Sequence, residues 1–280
     1  MSGVGPDTPA TPEAAKGSSN LFMRVVAALI MAPLTIAIVW IGGWPWACIV
    51  IAAAALLYFE WLMIVGASGN RFAVVAGIAA LAIAGICLMM RRTDLALGIV
   101  AVGIALAAVA ARGQRGWVAS GLVYAAAALI ASIVVRRDAD LGFVALMFVL
   151  LVVWVTDIGG YFAGRGIGGP KLWPRVSPNK TWSGAVAGVI AAAIVGAITA
   201  ALREKATLGI MIPLSVGLSV VSQFGDLAES AVKRYYGVKD TGTLIPGHGG
   251  ILDRIDGLLL VLPAAAAIAL LNKGSALIWP

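Results

Sequence analysis

Charge is scarce in this chain: Asp, Glu, Lys and Arg make up 12% of its 280 residues, against roughly 25% in a soluble domain. That shortage excludes a solvated globular surface. The 13 acidic residues are too few for an acidic face, and one histidine, His248, without matching partners builds neither a zinc site nor a Ser-His-Asp triad. The two cysteines, Cys48 and Cys87, lie inside apolar runs with no partner spacing and read as small core residues. A Walker loop is absent, since no Gly-Lys-Ser or Gly-Lys-Thr ends a glycine-rich stretch. GRGIGG from Gly164 to Gly169 fits G-x-G-x-x-G, but it follows an apolar helix and no strand, so a dinucleotide fold is excluded.

What fills the chain instead is hydrocarbon. Hydrophobic residues reach 61% and the mean hydropathy is +0.99, the signature of an all-α, polytopic membrane protein. Apolar runs of spanning length fall near Val25–Ile41, Trp44–Val65, Phe72–Met90, Leu95–Ala111, Trp117–Val135, Leu141–Phe162, Gly184–Leu202, Leu208–Phe224 and Gly257–Leu271, which predicts about nine transmembrane helices. Residues 1–20, rich in Pro, Ser, Thr and Gly, read as a disordered tail. The first greasy run begins only after Arg24, so it reads as a retained span and not a secretory signal. Residues 21–140 read as a transmembrane scaffold and residues 141–280 as a catalytic transmembrane domain.

With nine spans and a cytoplasmic N-terminus, 13 Lys and Arg fall on the cytoplasmic side and seven on the other. The positive-inside rule favours that orientation. The net charge of +7 suits loops lying against anionic lipid headgroups, and nucleic acid is excluded as a partner.

Against this background, the 31 residues from Asp226 to Asp256, DLAESAVKRYYGVKDTGTLIPGHGGILDRID, collect nine of the 33 charged side chains and the one histidine. If the eighth helix continues through GDLAESAVKR, then Asp226, Glu229, Ser230 and Lys233 form one stripe at i, i+3, i+4 and i+7. Asp253 and Asp256 repeat the i, i+3 spacing. Magnesium (Mg2+) needs only one or two protein carboxylates beside substrate phosphates and water, so Asp226, Asp253 and Asp256 are sufficient metal ligands. Lys233, Arg234, Lys239, Arg254 and His248 suit phosphate oxygens, and Gly249 and Gly250 let backbone amides approach an anion. His248 reads as a phosphate contact or loop organiser, because a phosphate monoester is already largely ionised near neutral pH and needs no strong base.

Two further segments fall on the same side. Asp157, late in the sixth span, is a costly charge at membrane depth aimed at a polar cavity. In SPNKTW, Ser177 and Pro178 form a turn, and Thr181 or Ser183 caps the seventh span, placing Lys180 at an anion seat. Glu60, without charged neighbours in sequence, reads as structural.

Ser230, Lys233-Arg234, Lys239-Asp240, Pro246, His248-Gly249-Gly250 and Asp253-Arg254-Ile255-Asp256 have the order and spacing of the signature of the phosphatidate cytidylyltransferase (CDP-diacylglycerol synthase) family, which this sequence resembles. GDLAES, SPNKTW, DIGGYFAGRGIGG and Glu60-Trp61 extend the likeness. Ile158-Gly159-Gly160 and Ser183 depart from the usual pattern. The resemblance implies transfer of a cytidylyl group from CTP to phosphatidic acid, with magnesium, in a multi-pass cell (inner) membrane enzyme that forms a homodimer. Ser177, Lys180, Ser230, Gly249, Gly250 and Asp157 then serve the substrates. A CDP-alcohol phosphotransferase is the alternative suggested by DRIDG, although no acid follows Asp256. An anion transporter is the non-enzymatic alternative.

Overall fold

The computed structural model describes residues 31–138, 140–203, 207–239, 241 and 250–271. The expected tail, the start of the first span, His248, Gly249 and the last nine residues lie outside them. The described residues from Val39 onward form one compact unit; of residues 1–38, the described ones are helical.

Among the described residues, eight helices are long and apolar enough to cross a membrane: α2 (Gly43–Ile64), α3 (Arg71–Met89), α4 (Thr93–Ala110), α5 (Arg115–Arg136), α6 (Gly142–Gly166), α7 (Trp182–Leu202), α8 (Leu208–Tyr235) and α9 (Leu252–Leu271). A shorter apolar helix, α1 (Met31–Ile41), precedes them and is the described part of the first expected span. Helices are the natural outcome, because every backbone polar group must be satisfied within its own segment in hydrocarbon. The outward faces are correspondingly apolar: Val75, Ile83, Leu97, Val102, Ile190 and Ile194 are all exposed. Cys48, expected in the core, lies on such an exposed face, while Cys87 is half-buried.

Two apolar clusters hold the compact unit together. One joins α2, α3, α4 and α5 through residues such as Leu57, Tyr58, Leu81, Val100, Leu122 and Leu129, and the other joins α6, α7 and α8 through residues such as Leu146, Val152, Ala192 and Met211. Helix α9 belongs to both, with Leu252 and Leu259 in the first cluster and Val261 and Ala265 in the second. Helices α6 and α7 approach very closely: a Cβ on Gly184 would sit 2.6 Å from the Gly160 carbonyl oxygen, so only glycine fits there.

The α6–α7 connection differs from expectation. In place of a turn at Ser177-Pro178, it forms an antiparallel hairpin of β1 (Lys171–Trp173) and β2 (Ser177–Thr181). Pro178 is tolerated because a two-stranded ribbon is all edge. Thr181 ends β2 and caps α7, its Oγ1 accepting the Gly184 amide at 3.2 Å as the capping expectation required. Ser183 donates instead to the Gly168 carbonyl.

Long-range contacts bring this hairpin, the α2–α3 and α4–α5 connections and the C-terminal end of α8 to one end of the bundle. Asn70 donates to the Ala110 carbonyl at 2.8 Å, Trp61 Nε1 donates to the Trp117 carbonyl at 2.8 Å, and the Trp117 ring lies 5.5 Å from that of Tyr235. The charged segments are therefore gathered at a single face.

Candidate active site

Helix α8 runs 11 residues beyond the apolar stretch that ended at Phe224, through DLAESAVKRY to Tyr235. It continues because its charges keep to one stripe, leaving Leu227 buried and Val232 packed against the core. Asp226, Ser230 and Lys233 thus project as expected. Ser230 Oγ donates to Asp226 Oδ1 at 3.4 Å, and Lys180, carried in by β2, donates to Asp226 Oδ2. Both members of the Lys180–Asp226 pair remain partly exposed, at 29% and 24% of the side chain. Arg234 ties α8 to the hairpin as well, donating from Nε to the Val176 carbonyl at 3.4 Å.

One turn further along, Lys233 bridges two carboxylates. Its Nζ lies 2.8 Å from Glu229 Oε1 and 2.7 Å from Asp253 Oδ1, with all three side chains largely buried. Removing Lys233 would leave both carboxylates buried without their cation, which costs about 3–5 kcal/mol.

Asp253 sits in the first turn of α9. Besides Lys233 at Oδ1, it receives three donors at Oδ2: the Thr241 amide at 3.0 Å, Thr241 Oγ1 at 2.9 Å and the Gly250 amide at 3.0 Å. All four partners are protein groups. Thr241 Oγ1 also lies 3.1 Å from Glu60 Oε2, so its single proton is shared between two carboxylates. Glu60 accepts the Ile251 amide at Oε1 and the Leu252 amide at Oε2, each at 2.8 Å.

The acids expected to act together therefore surround two lysines, with Asp256 within electrostatic reach of both Asp226 and Glu229. Asp157, on α6, and Asp256, on α9, lie within electrostatic reach of Asp226 and of Lys180. Asp253 instead shares Lys233 with Glu229. Among the described residues, no group of three or more Asp, Glu, His or Cys side chains is close enough to hold a metal ion on protein ligands alone. The donor set nevertheless suits a cation that also binds substrate phosphates. Among the described residues, six carboxyl groups (Glu60, Asp157, Asp226, Glu229, Asp253 and Asp256) gather around the ammonium groups of Lys180 and Lys233. Among the described residues, both Glu229 oxygens are buried with Lys233, 2.8 Å from Oε1, as their charged partner.

Of the other expected residues, Lys239, Arg234 and Arg254 are exposed, Ser177 is half-buried in β2 and Gly250 is buried. His248 and Gly249 lie outside the described residues. Thr241 carried no signal by itself: an isolated threonine in a polar loop looks like any turn residue. Glu60 did carry one, because a carboxylate in an apolar span needs a partner, and the structure supplies three donors.

The model of the cytidylyltransferase family matches residues 22–271. The phosphatidate cytidylyltransferase of Brucella suis biovar 1 (strain 1330) is 43% identical over 253 residues, covering 89% of this chain and 92% of that protein. Those of Staphylococcus saprophyticus and Bacillus subtilis are 46% and 44% identical over shorter stretches, covering 42% and 41% of this chain and 45% and 44% of those proteins. With 250 of its 280 residues inside the family match and a relative of this identity aligned over most of its length, the chain belongs to the cytidylyltransferase family.

Proposed function

We propose that this protein is a phosphatidate cytidylyltransferase, joining the cytidylyl group of CTP to the phosphate of phosphatidic acid and releasing pyrophosphate. One observation carries the reading beyond the family match. An open groove of 440 Å³ on the outward face of β1, α7 and α8 is lined almost wholly by apolar side chains, among them the exposed Trp173, Trp182, Val186, Ile190 and Phe224 and the buried Leu227. Trp182 lies two residues from Lys180, and Phe224 and Leu227 flank Asp226. A site that pairs a greasy groove with an ammonium and a carboxylate suits a substrate with acyl chains on a phosphate head.

In this reading the acyl chain lies along α7 and α8 while Lys180 meets the lipid phosphate. One phosphate oxygen attacks the α-phosphorus of CTP in line, and the bond from that phosphorus to the bridging oxygen of the β-phosphate breaks. Lys233, Arg234, Lys239, Arg254 and His248 neutralise the triphosphate and the departing pyrophosphate. Ser177 and Gly249 supply donors to phosphate oxygens, while the Ser230 hydroxyl stays with Asp226 and the Gly250 amide with Asp253, and Asp157 extends the polar wall opposite α8. Asp226 and Asp256 are the carboxylates for magnesium, with Asp253 behind them holding Lys233 and Thr241. When bound, magnesium supplies positive charge to the phosphate oxygens. The cytoplasmic orientation and a homodimeric assembly belong to the same reading, the first supported by the 13-to-seven distribution of basic residues and the second by the family resemblance.

The test is a pair of labels. With phosphatidic acid in vesicles and magnesium present, the α-phosphate of CTP should enter extractable lipid and the γ-phosphate should leave as pyrophosphate, one for one. Label from both positions remaining in water excludes the reaction. The groove makes a separate prediction: Val186→Trp, which fills it without adding polarity, should raise KM for phosphatidate about tenfold and leave KM for CTP unchanged. Equal effects on both substrates remove the groove from the lipid path.

A further inference from the structure

We propose that Glu60 is a positioning residue for this reaction, capping α9 from another helix and setting the direction in which Asp253 and Asp256 point. The proposal rests on the reaction proposed above. It starts from an omission in the sequence at the beginning of α9. A helix leaves its first amides without intrahelical acceptors, and a Ser, Thr, Asp or Asn just before the helix normally supplies one. Here Gly250 and Ile251 precede Leu252, and neither has a side-chain oxygen. The missing acceptor comes from 191 residues away: Glu60, fully buried near the end of α2, takes the Ile251 and Leu252 amides at 2.8 Å each.

Such a cap does more than satisfy two donors. Holding the first turn of α9 by its amides fixes the rotation of that turn, and the turn carries Asp253 at its second residue and Asp256 three further on. Through Thr241, the same carboxylate also fixes the other partner of Asp253. The support is rigid: Leu57, Tyr58 and Leu62 around Glu60 on α2 are buried, and Trp61 is tied to the Trp117 carbonyl at 2.8 Å. A carboxylate is also suited to the helix N-terminus, where the backbone dipole presents positive charge. Glu60 touches no reacting atom in this arrangement. Its contribution is that the acids of α9 meet substrate at a fixed angle, and a displacement on the order of 1 Å at a reacting centre costs on the order of a hundred-fold in rate.

The experiment uses the full-length purified protein with Glu60→Gln, Glu60→Asp and Glu60→Ala. Glutamine keeps the length and one acceptor oxygen; aspartate keeps the charge but falls one methylene short. Turnover per folded molecule should fall in the order Gln, Asp, Ala, by about tenfold for Gln and about a hundred-fold for Ala, with KM for CTP and for phosphatidate changed less than about threefold. In parallel, the Ile251 and Leu252 amides should exchange with deuterium faster in every variant. The proposal is overturned if turnover per folded molecule stays at the wild-type value, or if those amides exchange at the wild-type rate. Should Glu60→Ala fail to fold, Glu60→Gln decides alone. Should wild type itself transfer no nucleotide to lipid, the reaction is wrong, and the exchange rates still decide the cap.

Discussion

Asp226→Asn is expected to lower kcat by on the order of a hundred- to a thousand-fold, ~3–4 kcal/mol of transition-state stabilisation, in a protein that still folds. Asparagine matches the shape of aspartate, and the residue is partly exposed, so the core packing around Leu227 is undisturbed. What is lost is the charge on which the site converges. Lys180 on the hairpin loses its anionic partner, Ser230 keeps only a neutral acceptor, and the repulsion that Asp157 and Asp256 feel from Asp226 disappears. If Asp226 and Asp256 share a divalent ion with CTP, the variant should also need more magnesium: its activity midpoint should move up by about tenfold or more, on the scale by which a lost charge partner weakens an ion site. A magnesium titration of both proteins checks this. An unchanged midpoint with reduced kcat would assign Asp226 to holding Lys180 alone.

Gly250→Ala should be nearly as damaging by a different route. The added Cβ would stand 2.1 Å from Thr241 Oγ1 and 2.5 Å from Glu60 Oε2, distances at which something must shift. Neither neighbour is free to give way. Thr241 is hydrogen-bonded to Asp253 through both its amide and its hydroxyl, and Glu60 holds the start of α9. Overpacking of this kind costs about 1–3 kcal/mol of stability, and relief by moving Thr241 or Glu60 displaces Asp253. We expect turnover to drop by on the order of a hundred-fold together with a lower melting temperature. Thr241→Ser, which removes a methyl group and keeps the hydroxyl, should retain most activity. A Gly250→Ala protein with wild-type turnover would show that the clamp does not transmit to the site.

The helical frame was legible because apolar runs of spanning length have no other stable form in a bilayer. The starts of α2 through α6 fall within two residues of where the runs begin. Hydropathy failed at the functional ends, and for one reason: it measures mean greasiness, whereas a helix persists wherever charges occupy one face. Helix α8 therefore outlasts its run by 11 residues, and α9 begins at Leu252, five residues before its run. The stripe of Asp226, Ser230 and Lys233 was readable from helical periodicity alone. The β-hairpin was not, since Pro178 argues for a turn and five residues of strand leave little pattern.

Contacts across the chain were beyond the reach of spacing. Lys180 meets Asp226 from 46 residues away and Glu60 meets Thr241 from 181; a motif lists residue types but not which carboxylate takes which donor. That is why Asp226, Asp253 and Asp256 looked equivalent in the sequence. In the structure Asp253 is committed to Lys233, Thr241 and Gly250, while Asp226 and Asp256 share the environment of Lys180.

The most direct measurement of the central claim is transfer of α-labelled CTP into lipid by purified wild type and Asp226→Asn, side by side, in phosphatidate vesicles with saturating magnesium. The account predicts labelled CDP-diacylglycerol from wild type and at most about one per cent of that rate from the variant. Undiminished product from Asp226→Asn would contradict it.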